Sequence, residues 1–113
     1  MKLRVTISGY VRNKDPLKAL PYGGTYVLAQ DLVNGKAHWI SEDDNYAIWY
    51  DSTYQNWKMG TKVNSGSSTA QYITLVGSAE AGLPHEIKTW QHWEFGMWTD
   101  TTDIVVEGKY FYP

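Results

Sequence analysis

Cysteine is missing from this 113-residue chain. Neither disulfides nor a thiolate metal site can hold the fold, and a cysteine nucleophile is excluded. The lack leaves the compartment open, since it suits a reducing environment and does not exclude secretion. Long apolar runs are also lacking: nothing approaches the roughly 18 residues that a membrane-spanning helix needs. The N-terminus alternates Lys2, Leu3, Arg4, Val5, Thr6 and Ile7 and has no apolar core of the signal-peptide kind. Membrane insertion is therefore not expected. No Asn-x-Ser/Thr acceptor occurs, because Asn56 precedes Trp57-Lys58 and Asn64 precedes Ser65-Gly66. An excess of one charge sign is absent as well. Twelve acidic residues face ten basic ones, and Lys2, Arg4, Arg12, Lys14 and Lys18 are spread out and offset by Asp15. That is no footprint for a polyanion, so a nucleic-acid partner is not expected.

Phenylalanine is scarce, with two residues, whereas Trp and Tyr number six and nine. Each such ring buries roughly 150–250 Å² when packed, and a domain of this size hides only about two-thirds of the surface its unfolded chain exposes. Some aromatic surface is thus expected to face outward. The size indicates one small β domain, residues 1–113, either a whole protein or a unit of a larger one.

Strand periodicity dominates the chain. Leu3, Val5 and Ile7 alternate with Arg4, Thr6 and Ser8, as a half-buried strand requires, with Gly9 closing the run. Residues 10–23 read as an ordered loop restrained by Pro16 and Pro21 and pinned by Tyr10, Val11, Leu17, Leu20 and Tyr22. Thr25–Leu28 favours a strand. Asn34-Gly35 is a strong hairpin signal, because both residues tolerate the positive φ of a type I′ turn. The acidic run Glu42–Asn45 reads as a solvated turn. In Tyr46–Tyr50 the residues Tyr46, Ile48 and Tyr50 share one face, with Ala47 and Trp49 on the other, so this is a central strand. Trp57 and Met59 repeat the period. Residues 60–69, GTKVNSGSST, look like the softest part, a flexible hairpin loop. Tyr72–Val76 is another two-sided apolar strand. Residues 78–96 are ambiguous; irregular strand or loop is preferred, with a short helical turn near 84–93, opened by Pro84, as the alternative. The pattern predicts an all-β fold, an antiparallel sandwich or partly closed barrel of about seven short strands.

No motif names a reaction. A nucleophile elbow and a phosphate-binding glycine loop are both lacking. A glycosidase pair such as Asp51 with Glu94 can be drawn but not selected from twelve acids; no catalytic residue is assigned and no enzyme is expected. His85, Glu86 and His92, with Glu94 or His38, do not have zinc-site spacing. Asp43, Asp44, Asn45 and Asp51 offer oxygen ligands for calcium, yet a solvated turn accounts for them more simply. No metal and no cofactor is expected. The candidate contact residues are Trp90, Trp93 and Trp98, interleaved with Glu94 and Asp100, together with Trp57 and Trp39 beside turns. Trp49, mid-strand, is assigned to the core. The function expected is a non-catalytic binding module whose aromatic surface contacts a protein partner or another copy of itself, because Trp and Tyr favour interface centres. The alternative is a lectin-like carbohydrate-binding module with Trp90, Trp93 or Trp98 beside Glu94, Asp100 or Gln91. A third reading is that the rings only plug one end of the fold.

Overall fold

The computed structural model describes residues 2–11, 18–19, 22–69, 71, 73–78, 82–94, 96–101 and 104–112. The described residues are almost all β, with short 3₁₀ turns at Lys62–Asn64 and Pro84–Glu86. The strands are β1 (Lys2–Val11), β2 (Lys18–Ala19), β3 (Gly24–Val33), β4 (Lys36–Ser41), β5 (Tyr46–Asp51), β6 (Asn56–Thr61), β7 (Ile73–Gly77), β8 (Trp90–Glu94), β9 (Met97–Thr101) and β10 (Ile104–Phe111). They form one antiparallel sheet in the order β10-β1-β3-β4-β5-β6-β7-β8-β9, with β2 paired to β1. From β3 to β9 each strand pairs with the next. β10 instead crosses to β1, running from Gly9↔Ile104 to Lys2↔Phe111. The sheet curls into a partly closed barrel, and among the described residues no pairing joins its edges β9 and β10.

Three details differ from the sequence reading. More than seven strands are present, because the ambiguous stretch resolves into a 3₁₀ turn at Pro84–Glu86 followed by β8, and β9 forms a hairpin with it. β1 does not stop at Gly9: that residue takes φ 115, a conformation open to glycine, and the strand continues to Val11, where it pairs with Lys18–Ala19. The other expectations for the loop at Arg12–Leu17, Leu20 and Pro21 lie outside the described residues, as does Tyr72. The third difference, at residues 60–69, concerns the site and is taken up below. The Asn34-Gly35 turn is as expected, with φ 52 and 78.

Two-residue periodicity gives the sheet two apolar faces. The inner one gathers Leu3, Val5, Ile7, Tyr26, Trp39, Ile48, Trp57, Met59, Leu75, Trp90 and Ile104, contributed by nearly every strand. Trp39 and Trp57 flank Ile48 from β4 and β6, with ring centres 5.9 Å apart at 62°. Two of the buried indole N–H groups find main-chain acceptors: that of Trp39 donates to Leu3 O at 2.8 Å, and that of Trp57 to Gly82 O at 2.9 Å. The 3₁₀ turn at Pro84–Glu86 is capped by the Glu86 carboxylate, which accepts the Leu83 N–H at 2.8 Å. It leans on β10, where the His85 ring occupies the space a side chain at position 108 would need, so Gly108 is required by packing.

Two inner tyrosines set an alkaline limit. Burial, then the neighbouring Tyr46 phenol, pushes Tyr22 up to about 12. Tyr26 is raised further, by burial first and then by Asp43, Tyr46 and Tyr22; its hydroxyl donates to Tyr22 O at 2.6 Å. Both ionise more readily unfolded, near pH 10. Their contribution to stability is therefore complete below about pH 10 and is lost as pH rises toward 12. In a tyrosinate absorbance titration these two rings should ionise only together with loss of the β-sheet circular dichroism. Reversible ionisation of every tyrosine near pH 10 with the sheet intact would contradict their placement.

Candidate functional site

The outer face is smaller and partly polar. Ala47, Trp49 and Ile73 form its buried centre, with Val33, Ile40, Val76 and Trp98 packed around them. Residues 62–69 do not project as a free hairpin tip but fold back over this face, held by specific bonds. The Trp49 indole donates to Ser67 O at 3.1 Å, Asn34 Nδ2 donates to Tyr50 O at 2.8 Å and to Gly66 O at 3.3 Å, and Ser68 Oγ donates to Asp51 at 2.7 Å. Composition suggested softness here because Gly and Ser carry little apolar surface. The order comes instead from partners distant in sequence.

Between this returning loop and the β8–β9 hairpin lies an open cleft of about 370 Å³. Pairing explains its lining. Trp49↔Lys58, Lys58↔Val76, Val76↔Gln91 and Gln91↔Asp100 are successive cross-strand neighbours, which places one row of outward side chains across five strands. Ile73 and Val76 give the cleft apolar lining, Asn56, Lys58, Ser68 and Gln91 give it polar groups, and Tyr54 and Trp98 give it aromatic rings. Gln91 Nε2 donates to Asp100 Oδ1 at 2.9 Å, leaving the amide oxygen and the second carboxylate oxygen as acceptors.

A buried ion pair underlies the cleft. The side chains of Lys58 and Asp51 are only 6 % and 1 % exposed, with Lys58 Nζ 3.0 Å from Asp51 Oδ2. Asp51 Oδ1 accepts from the Thr53 N–H at 2.9 Å, the Tyr54 N–H at 3.4 Å and the Ser68 hydroxyl. Burial on its own would raise this carboxyl, but the bonds from Ser68, Lys58 and Thr53 and the Lys58 charge outweigh it and hold Asp51 below the usual range. The Lys58 ammonium also donates to Asn56 Oδ1 and lies 5.1 Å from the centre of the Tyr54 ring. The ammonium is thus held by one hydrogen bond and one ion pair.

The candidate contact residues separate into two groups. Trp39, Trp57 and Trp90, 2 %, 2 % and 3 % exposed, line the inner core and cannot meet a ligand. Their expected contact role gives way to packing, because strand alternation points them inward. Trp49 is buried, as expected, though on the outer face. Trp93, Trp98 and Asp100 stand together outside. Trp93 pairs across the hairpin with Trp98, ring centres 5.5 Å apart at 79°. Glu94 pairs with Met97 in the backbone; its side chain lies outside the described residues. Trp93 remains 57 % exposed, which leaves on the order of 2–3 kcal/mol of possible burial unrealised. Tyr54, Lys58, Asn56 and Ser68 escaped the sequence reading. The turn at residues 51–56 gave no signal that its members would line a cleft with Trp98.

Metal readings find no geometry. Among the described residues no group of three or more His, Cys, Asp or Glu side chains is placed to hold an ion. His38 is buried with Nε2 3.8 Å from Asp31, and the His85 ring lies edge-on to Tyr110. Asp43 is occupied as a turn cap, accepting from Ser41 Oγ at 2.6 Å and the Asn45 N–H at 3.0 Å. No helix among the described residues is long and apolar enough to cross a membrane. Comparison of the chain with protein-family models, with curated proteins and with solved structures gives no match.

Proposed function

We propose that this protein is a non-catalytic carbohydrate-binding module whose ligand enters the outer-face cleft. The observation that carries the reading is the lining of one cleft by two aromatic side chains, Tyr54 and Trp98, together with the hydrogen-bonding groups of Asn56, Lys58, Ser68 and Gln91. A sugar ring offers an apolar face of C–H groups and a rim of hydroxyls that both donate and accept. Indole and phenol faces suit the first; the Gln91 amide, the Asp100 carboxylate bonded to it, the Asn56 amide and the Lys58 ammonium suit the second. The cleft volume lies at the small end of ligand sites, which fits a sugar rather than a large cofactor. Support for a non-catalytic role comes from Asp51, which is sealed beneath Lys58 and committed to four partners, so it is poorly placed to act as an acid or nucleophile.

Binding to a panel of immobilised glycans tests the reading. Tyr54 is 63 % exposed, so Tyr54→Ala leaves the core alone; it and Trp98→Ala should each weaken binding about tenfold or more, the equivalent of about 1.4 kcal/mol. Glycan binding indifferent to both substitutions would move the site elsewhere. A second reading, association with a protein partner or another copy, is favoured by Trp93 and Met97, both exposed on the edge hairpin. It predicts a sedimentation coefficient that rises with concentration and falls back in Trp93→Ala, with no glycan bound.

A further inference from the structure

We infer that the site has two consecutive subsites and takes a neutral oligosaccharide of at least two sugars, the first in the cleft against Trp98 and the next against Trp93. This rests on the carbohydrate reading above and extends it to chain length and charge.

The β8–β9 hairpin sets the length. Gln91↔Asp100 and Trp93↔Trp98 are alternate pairs of the ladder, so all four side chains share the outer face. Trp98 lines the cleft while Trp93 does not, yet their rings lie 5.5 Å apart. At that distance the two rings touch edge to face and form one continuous aromatic surface, so a chain leaving the cleft past Trp98 meets Trp93 next. The rings cross at 79°, so two sugars stacked on them do not share a plane, and the preferred linkage turns the chain rather than extending it as a flat ribbon.

The row of outward side chains sets the charge. Lys58, the cation of the cleft, is neutralised by Asp51 at 3.0 Å. Asp100 is three strands away from it along the row, roughly 14 Å at the usual strand spacing and beyond the screening length of physiological salt. Its carboxylate is therefore uncompensated by Lys58 just where Trp98 and Trp93 meet. Anionic sugars would place like charge there, whereas hydroxyls can donate to its free oxygen.

The test is a titration, followed by tryptophan fluorescence and calorimetry, with glucose, galactose, mannose and N-acetylglucosamine, each with its di- and trisaccharides, and with glucuronate- and sialate-bearing trisaccharides. The expected result is a trisaccharide that binds about tenfold or more tighter than its monosaccharide, a gain of about 1.4 kcal/mol. In Trp93→Ala that ratio should fall close to one. Acidic trisaccharides should bind more weakly than neutral ones, and Asp100→Asn should narrow the difference. Equal affinity for one sugar and three, or a length gain that survives Trp93→Ala, would overturn the two-subsite assignment, and tighter binding of acidic glycans would overturn the preference for a neutral chain; each leaves a Trp98-dependent sugar site standing. No binding across the panel would remove the carbohydrate reading itself, and the subsites with it.

Discussion

Replacing Trp39 by alanine should lower the stability of this domain by about 3–5 kcal/mol, a large part of what a domain of this size has. The indole is sealed between β4 and its neighbours, packs edge-to-face on Trp57, and donates to the Leu3 carbonyl. Truncation leaves a cavity that β4, paired on both sides, cannot collapse into, and orphans a main-chain acceptor in β1. The expected fall in Tm is roughly 15–25 °C by circular dichroism. Trp93→Ala is the matched control. That ring is on the outside, so its loss should cost only about 1 kcal/mol, the worth of its edge-to-face contact with Trp98. Similar losses at the two positions would mean that the inner and outer faces have been assigned wrongly.

Breaking the Lys58–Asp51 pair should be nearly as damaging, at about 3–5 kcal/mol for either Lys58→Met or Asp51→Asn. Each single change strands a buried partner: an ammonium under the cleft in one case, a carboxylate with a single counter-ion removed in the other. Changing both should cost less than the sum of the two, because no uncompensated charge remains. A coupling of at least about 1 kcal/mol in urea denaturation is expected from groups in direct contact. Strict additivity would show that the two charges are solvated and do not sense each other. The pair also sets the acid limit. Asp51 is held below the usual carboxylate range when folded, so its contribution is present above about pH 4, the unfolded value, and is lost as pH falls through the folded one. Asp43, lowered by its bonds from Ser41 and Asn45, acts in the same direction. Asp51→Asn should therefore flatten the acid limb of the stability profile without removing it.

Legibility in sequence tracked the range of the interaction. The Asn34-Gly35 turn, the two faces of Tyr46–Tyr50 and the solvated turn at Glu42–Asn45 were readable because each depends on residues within a few positions of one another. The site was readable only in part. Trp93, Trp98, Asp100 and Gln91 stand close together on one hairpin, and their proximity in the chain exposed them. Tyr54 and Lys58 come from the β5–β6 hairpin and Ser68 from the returning loop; local sequence carries no sign that these meet Trp98.

Alone, the sequence determined that the chain is β, where several of its turns fall, and that its aromatic surface exceeds what a small interior can hide. Tertiary structure decided which rings are hidden. Both faces of the sheet carry aromatic residues, so alternation says only that neighbours point apart; closure of β10 onto β1 and the loop laid over Trp49 settle which side is inside. Burial belongs to the packed sheet as a whole, and no run of residues along the chain contains it.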